Sequence, residues 1–410
     1  SGDEEQPKEQ LKKHDRLDDI GSYNFIKILG KGAYGVVWLV RRRLTGDLYA
    51  MKLTEFGENM KKNHKDVVVK EARIFRNLVG DYVIKAIASF SFKNYVCSVM
   101  EYMPGGDLGA LLKRETRLEE DEARFYIAEV LLALECLHSQ GLIHRDLKPE
   151  NILLDSTGHC KLADFGLSED AFEKNFISGS APLSRFSKAG KAQGVIQQAS
   201  KGKFSRNSKK HTPATTEGGA RIVGTPDYMS PEMLEGKGLD LSTIDYWALG
   251  VILFELIVGI PPFNDDTIPG VFAKIREHKI PWEDLIDEDG NEVISPEAKS
   301  LITGLLEPDP EDRLGADSID DIKSHPFFAR VDWKHIRDSK PPYAPAEFEP
   351  SGNTYEKEAA KFRREVLSSG FNREKPQHSR HSATAVKGNS KESDIEFMRK
   401  DILVQENSKA

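Results

Sequence analysis

Cysteine is scarce in this chain: Cys97, Cys136 and Cys160 are the three among 410 residues, an odd number without C-x-x-C spacing. Neither a disulfide framework nor a zinc site is expected, and a reducing compartment fits best. Long apolar runs are missing too. The most apolar stretch, Leu249 to Ile260, is about a dozen residues and is interrupted by Glu255, short of the roughly 18 to 20 needed to span a bilayer. Membrane insertion is therefore not expected. The first residues, with Asp3, Glu4, Glu5, Lys8, Lys12 and Lys13, hold no apolar run of the secretory-signal type, so a cytoplasmic or nuclear location is expected. Neither sign of charge dominates: 58 Lys and Arg against 66 Asp and Glu leave −8, too weakly acidic to point to nucleic acid as a partner. No internal repeat is visible. No G-x-x-x-x-G-K-[ST] occurs, which disfavours a P-loop ATPase.

What is present is ordinary for a soluble globular protein, 39% hydrophobic and 30% charged residues, with room for one large two-lobed domain or two to three smaller ones. Residues 1–22 are polar. Phe25 to Val40 and Leu48 to Leu53 alternate apolar residues at the strand period, Val67 to Leu78 has helical periodicity, and Tyr95 to Met100 reads as a buried strand. Gly105-Gly106 breaks the pattern before helix-like runs at Leu108 to Leu112 and Glu122 to Leu137. A small strand-rich lobe over 23–103 thus precedes a larger helical one over 104–337. Residues 169–220 stand apart, with ten Ser/Thr, six Gly, nine Lys/Arg and four Asp/Glu and no sustained apolar period. Such a segment buries too little surface to offset its ordering entropy, and a mobile insertion is expected. Over 338–410 the chain is polar again: Pro341, Pro342, Pro345 and Pro350 suggest an extended, partly disordered tail before a helix near Glu356 to Leu367.

Gly30-x-Gly32-x-x-Gly35-x-Val37 suits a dinucleotide fold, a plain hairpin or a hairpin covering nucleotide phosphates; strand-like residues on both sides favour the last. Lys52 lies in the apolar run Tyr49-Ala50-Met51-Lys52. It reads either as a snorkelling edge lysine or as an ammonium for the α and β phosphates held by Glu71, where Val67, Glu71 and Ile74 share a helix face. His144-Arg145-Asp146-Leu147-Lys148-Pro149-Glu150-Asn151 is the most specific stretch, eight defined residues in a row. As a catalytic loop it gives Asp146 to orient an attacking hydroxyl and take its proton, Lys148 to neutralise the transferring phosphoryl, and Asn151 to hold a metal ion. Thirteen residues further on comes Asp164-Phe165-Gly166. Asp164 offers the hard anionic oxygen that Mg²⁺ prefers.

These motifs make the chain resemble a eukaryotic protein kinase over about Tyr23 to Trp333, apart from the insertion. The resemblance implies an α+β fold with a small antiparallel-sheet lobe and a larger helical lobe, and transfer of the γ-phosphoryl of ATP, with Mg²⁺, to Ser or Thr of protein substrates. Lys148, Thr225 and the segment Gly224 to Glu232 belong to the serine/threonine pattern. The resemblance places adenine at the hinge of Glu101 and Met103 and against Ala50, has Met100 guard the back of the pocket, and gives Asp107 to the ribose. It also pairs Glu232 with Arg313 in the buried ion pair of the family, and makes Asp245-Tyr246-Trp247 an anchor in a central helix. The rival from another class is a catalytically inactive pseudokinase acting as a nucleotide-responsive scaffold. Such proteins usually lack one of three residue types, which are present here as Lys52, Asp146 and Asp164.

A narrower resemblance is to the AGC group, and within it to the Greatwall and microtubule-associated serine/threonine kinase branch. It rests on Gly32-Ala33-Tyr34-Gly35, Met100 to Asp107, Arg221 to Tyr228 and Gly259 to Asp265. It implies endosulfine-like phosphatase inhibitors as candidate substrates, cell-cycle or nutrient signalling, an upstream activating kinase, and, through Asp107 and Glu150, a basic residue at the minus-three or minus-two position of the substrate. Two features depart from the AGC pattern. Arg221 occupies the usual activation-loop phosphothreonine position, and the terminal F-x-x-F-[ST]-[FY] motif is missing, which puts docking of the tail on the small lobe in question. A charge switch is then expected elsewhere, with Thr212-Pro213 in the insertion as the candidate and Arg145 as the partner of a phosphate there.

Overall fold

A computed structural model describes residues 16–31, 35–56, 62–165, 169–170, 226–236, 241–286, 293–345, 360–362 and 364. The expected α+β architecture is present: a five-stranded antiparallel sheet with one helix forms the small lobe, and the large lobe is helical. Strands β1 (Tyr23–Lys31), β2 (Gly35–Arg42), β3 (Leu48–Glu55), β4 (Ala86–Phe92) and β5 (Tyr95–Glu101) lie in the order β1-β2-β3-β5-β4, and α1 (Lys62–Asn77) lies between β3 and β4 in sequence. Strand β4 is not among the strands expected from the sequence. Its alternation Ala86-Ile87-Ala88-Ser89-Phe90 is broken by a register shift between Ala86 and Ala88, which blurs the two-residue period.

That period sorts the strands' side chains. Met51, Leu53, Cys97 and Val99 are buried in a core on one face, joined by Trp38 and Val40 of β2. On the opposite face Val96 meets Val68 and Ala72 of α1. Lys52 and Ala50, of the second parity, pair in register with Ser98 and Met100 of β5. Gly35 is required for packing: a Cβ there would lie 2.4 Å from the Leu53 carbonyl oxygen.

The large lobe holds α2 (Leu108–Glu115), α3 (Glu120–Ser139), α4 (Pro231–Glu235), α5 (Thr243–Val258), α6 (Ile268–Glu277), α7 (Pro296–Leu305) and α8 (Ile319–Lys323). Its axis is α5, fourteen of whose sixteen residues are buried. A helix apolar on all sides needs such a central place. Gly250 lets α7 approach, since a Cβ would come within 2.8 Å of Leu305 Cβ. Among the described residues no helix is long and apolar enough to cross a membrane. The expected Glu232–Arg313 pair is bidentate and buried, at 2.6 and 3.0 Å, and Arg313 also donates to the carbonyls of Thr243 and Glu307. With its hydrogen-bonding capacity filled, the pair ties α4 to the 307–313 turn, and removing one partner would strand a buried charge.

Short strands then hold the cleft-lining loops. The strand β6 (Leu142–Ile143) pairs with β9 (Glu169–Asp170), and β7 (Ile152–Leu154) pairs with β8 (Cys160–Leu162). Glu169 and Asp170 head the segment expected to be a mobile insertion; residues 171–220 lie outside the described residues. Of the helix expected near Glu356 to Leu367, the described residues 360–362 and 364 are helical.

The chain beyond α8 touches both lobes. Tyr343 receives a hydrogen bond from Arg114 at 2.7 Å, its ring 4.2 Å beneath the guanidinium. Phe362 sits among aromatic rings of the small lobe, 5.1 Å from Trp38, 5.9 Å from Phe25 and 6.2 Å from Tyr95. Tail contact with the small lobe thus occurs without the two-phenylalanine motif. One ring suffices because β1, β2 and β5 already present three aromatics on the face turned away from α1. Phe362→Ala is expected to destabilise the small lobe by about 1–2 kcal/mol, and to increase amide exchange in β1 and β2 while leaving α5 unchanged. Hydrogen-exchange mass spectrometry measures both.

Candidate active site

The loop after β6 is held from below by one carboxylate. Asp245 of α5, fully buried, accepts the backbone N–H of His144 at 2.8 Å and that of Arg145 at 2.9 Å, and lies 2.8 Å from His138 Nε2. Burial alone would raise its pKa; the hydrogen bond and charge of His138, with the backbone donor at Arg145, outweigh this and hold it below the usual carboxylate range. With both amides gripped, Arg145 takes a left-handed φ of 66°, uncommon for a side-chain-bearing residue. His144 is buried and reaches the Ala163 carbonyl at 3.1 Å, fastening this loop to the segment that carries Asp164.

Asp146 is then presented beside two of the expected partners. Lys148 Nζ donates to Asp146 Oδ2 at 2.7 Å, while Asn151 Nδ2 donates to the Asp146 carbonyl at 2.7 Å and to Oδ2 at 3.2 Å. Because the Asn151 amide nitrogen is used on Asp146, its side-chain oxygen is the atom left to coordinate. The Ala163 N–H donates to the Asn151 carbonyl at 2.9 Å, which brings Asn151 next to the Asp164 segment. Oxygen donors from one Asn and one Asp fit a Mg²⁺ ion that keeps waters and substrate phosphates as its remaining ligands.

Across the cleft Lys52 Nζ reaches Glu71 Oε1 at 2.5 Å and Asp164 Oδ1 at 3.0 Å. Desolvation opposes the ammonium, but Asp164 and Glu71 together raise its pKa above the ordinary lysine value. This removes the snorkelling-edge reading of Lys52. Asp164 has φ 61° and a half-exposed side chain, whereas Phe165 is buried with its ring 5.5 Å from that of His144. The main chain thus turns the carboxylate outward and the ring inward. Val37 pairs with Lys52 and Gly30 with Val37 in the sheet register, so the expected glycine-motif residues flank Lys52. Met103, Ala163, Ile84 and Phe75 form an apolar cluster against which Ala86, Met100 and Leu153 pack. Leu153 had not been expected at this site. It occupies β7 opposite Lys161 of β8, a placement that only the fold reveals.

An acidic group gathers on the large-lobe side. Asp107 caps α2, its Oδ1 accepting from Ala110 N at 2.8 Å. The Tyr228 hydroxyl donates to Glu255 Oε2 at 2.6 Å. Burial pushes Glu255 up to about 7; Tyr228 opposes the shift while the charges of Glu150 and Asp227 add to it. Asp227 is likewise raised by burial and by Glu150, and Asp107 by burial with a contribution from Glu150. The charge of Glu150 thus bears on Asp107, Asp227 and Glu255, while Lys113 opposes the shift at Asp107 and Glu255. Glu255 and Asp227 were not anticipated, although a lone carboxylate within the apolar run of α5 is the kind of signal that marks such a residue.

The structure thus brings together Lys52, Glu71, Asp146, Lys148, Asn151 and Asp164 through the contacts above, with Gly30, Gly35, Val37, Ala50, Glu101, Met103 and Asp107 on the strands and hinge around them. Gly32, Thr212, Arg221 and Thr225 lie outside the described residues, so the expected regulatory contact between Thr212 and Arg145 does too.

Residues 23–181 and 204–328 match the family described as Protein kinase domain. The break in the match falls inside the 169–220 segment. A probable serine/threonine protein kinase IRE of Arabidopsis thaliana is 41% identical over 341 residues, covering 82% of this chain and 27% of the relative. A probable serine/threonine-protein kinase of Dictyostelium discoideum is 35% identical over 362 residues, covering 82% of this chain and 72% of the relative. The AGC-like serine/threonine-protein kinase gad8 of Schizosaccharomyces pombe is 35% identical over 329 residues, covering 80% of this chain and 49% of the relative. This chain spans 27% of the length of the IRE relative and 24% of that of the related IREH1. With the matched residues enclosing the Lys52–Glu71–Asp164 bridge and the catalytic loop, the chain belongs to the protein kinase domain family and carries a protein serine/threonine kinase domain.

Proposed function

We propose that this protein transfers the γ-phosphoryl group of ATP to Ser and Thr hydroxyls of protein substrates, with Mg²⁺ as the metal. The observation that carries the reading is the Lys52 bridge, 2.5 Å to Glu71 and 3.0 Å to Asp164, which sets a cation and a potential metal ligand on opposite walls of one cleft. Lys52 binds the α and β phosphates and Glu71 holds it in place. Asp146 orients the acceptor hydroxyl and takes its proton, and Lys148, 2.7 Å away, offsets negative charge on the transferring group. Asn151 and Asp164 would hold the metal ion, which would supply charge neutralisation at the phosphates. Adenine lies against Ala50, Met103 and Leu153, with Glu101 and Met103 as the hinge. A pseudokinase is disfavoured because the bridge and the Asp146–Lys148–Asn151 cluster are both assembled.

Asp146→Asn and Lys52→Met are expected to lower phosphoryl transfer to a generic basic protein by about 10²-fold or more. Asp146→Asn should keep nucleotide binding, since that carboxylate serves the acceptor. Near-wild-type turnover of either folded variant would sink the assignment.

The acidic group supports a preference for a basic residue at the minus-three or minus-two position of the substrate, with Glu255, Glu150 and Asp227 as its carboxylates and Asp107 shared with the ribose. Glu255 titrates near pH 7 in the protein without substrate, and only its ionised form attracts a guanidinium. The KM for an arginine-containing peptide should therefore fall as pH rises from 6 to 8, while that for the alanine-substituted peptide changes little. Glu255→Gln should flatten the dependence. Equal pH profiles for the two peptides would refute this role.

By the narrower resemblance, endosulfine-like phosphatase inhibitors are the proposed substrates, an upstream proline-directed kinase acting at Thr212 is the proposed activator, and the cytoplasm or nucleus is the proposed location. Comparing phosphorylation of an endosulfine-like protein with that of a basic peptide library tests the branch assignment separately from kinase activity.

A further inference from the structure

Glu101 ends β5 where the chain leaves the small-lobe sheet, and its side chain makes contacts that adenine binding does not use. Oε1 accepts the Lys85 backbone N–H at 2.6 Å, while the Glu101 N–H donates to the Lys85 carbonyl at 3.1 Å. Lys161 Nζ also donates to both carboxylate oxygens, at 2.8 and 2.9 Å. Lys161 is the middle residue of β8 in the large lobe, three residues before Asp164. Its neighbour Leu162 exchanges two backbone hydrogen bonds with the segment approaching β4, donating to Tyr82 O and accepting from Ile84 N, each at 2.9 Å.

Two ion pairs therefore join the small-lobe sheet to residues 161–164: Lys52–Asp164 and Glu101–Lys161. They differ in what a nucleotide does to them. Lys52 and Asp164 are groups that phosphate and metal engage, so their mutual contact is exchanged for others when ligand binds. Neither charged group of Glu101–Lys161 has such a duty, and the pair can persist through turnover. Its side chains are 25% and 18% exposed, so solvent screens it only in part. Opening the lobes about the hinge pulls β8 away from the end of β5, stretching a contact in which one ammonium is held between two oxygens. Resistance to opening is resistance to product escape, a step that often limits turnover in enzymes with closing lobes.

We propose that Lys161 is a positioning residue which, through Glu101, latches the hinge in its closed arrangement and so sets the rate of ADP release. The proposal rests on the nucleotide reading above and adds an inter-lobe determinant of that site. Lys161 Nζ is engaged by the Glu101 carboxylate, and its effect passes through Glu101 to the hinge backbone.

The test uses the full purified chain, with fluorescent ADP displaced by excess ADP in a stopped-flow instrument and phosphoryl transfer followed in a single turnover. Lys161→Gln is expected to speed ADP dissociation about three- to tenfold while leaving the single-turnover rate within about twofold. Lys161→Arg, which keeps a cation able to fork onto the carboxylate, should restore slow release. Glu101→Gln retains an acceptor for the Lys85 N–H, and the double variant Glu101→Gln/Lys161→Gln should release ADP no faster than the faster single one. Unchanged ADP dissociation in folded Lys161→Gln would overturn the latch. Additive effects in the double variant, or a fall in single-turnover rate parallel to a loss of thermal stability, would also overturn it by assigning Lys161 a merely structural part. Failure of the wild-type chain to bind the fluorescent ADP would overturn the nucleotide reading itself and the latch with it, an outcome distinct from the others.

Discussion

The carboxylate of Asp245 is the constraint on which the rest of the site depends. It is an anion fully buried in a largely apolar helix, and burying a charge is costly unless donors surround it. Here two donors are consecutive backbone amides of the catalytic loop and another is an imidazole. Solvating Asp245 and shaping the loop are thus one event. The left-handed Arg145 backbone persists because both neighbouring amide directions are dictated by a group that cannot move within α5. From there the constraint passes through His144 to Ala163, and so to the residue before Asp164.

Electrostatic organisation differs on the two sides of the cleft. Between the lobes, cations and carboxylates alternate: Glu71, Lys52 and Asp164 form one chain, and Glu101 and Lys161 form another pair. Each charged group there meets an opposite one; phosphate and metal exchange the Lys52–Asp164 contact for their own, while Glu101–Lys161 is left in place. On the large-lobe side burial raises the proton affinity of Asp227 and of Glu255, and the charge of Glu150 adds to both shifts. A cation brought beside such carboxyls would favour their ionised form.

The chain after α8 couples the two lobes mechanically as well. Tyr343 is fixed on Arg114 of the large lobe, and Phe362 among Phe25, Trp38 and Tyr95 of the small one. Lobe opening therefore changes the separation of two anchored points of the same chain. A motif search for two phenylalanines overlooks such an anchor, because aromatic stacking needs a shaped acceptor surface, not a particular linear spacing.

What the sequence determined by itself is the chemistry that resides in unbroken runs. His144 to Asn151 and Asp164 to Gly166 can be read without a fold, because the backbone keeps their members adjacent, and the alternating residues of β3 and β5 declare a two-faced sheet through the same local geometry. Pairing in the tertiary structure decided what lies far apart along the chain. Glu255 becomes a partner of Tyr228, Leu153 joins Met103, Lys161 meets Glu101, and Phe362 reaches Trp38 only when helices and strands have packed. β4 was hidden because a register shift disturbs its local period, and Lys52 could be read two ways until Glu71 and Asp164 were found on either side of it. Covalent neighbourhood carries the first class of information; the second depends on burial and on through-space distance, which a linear pattern does not encode.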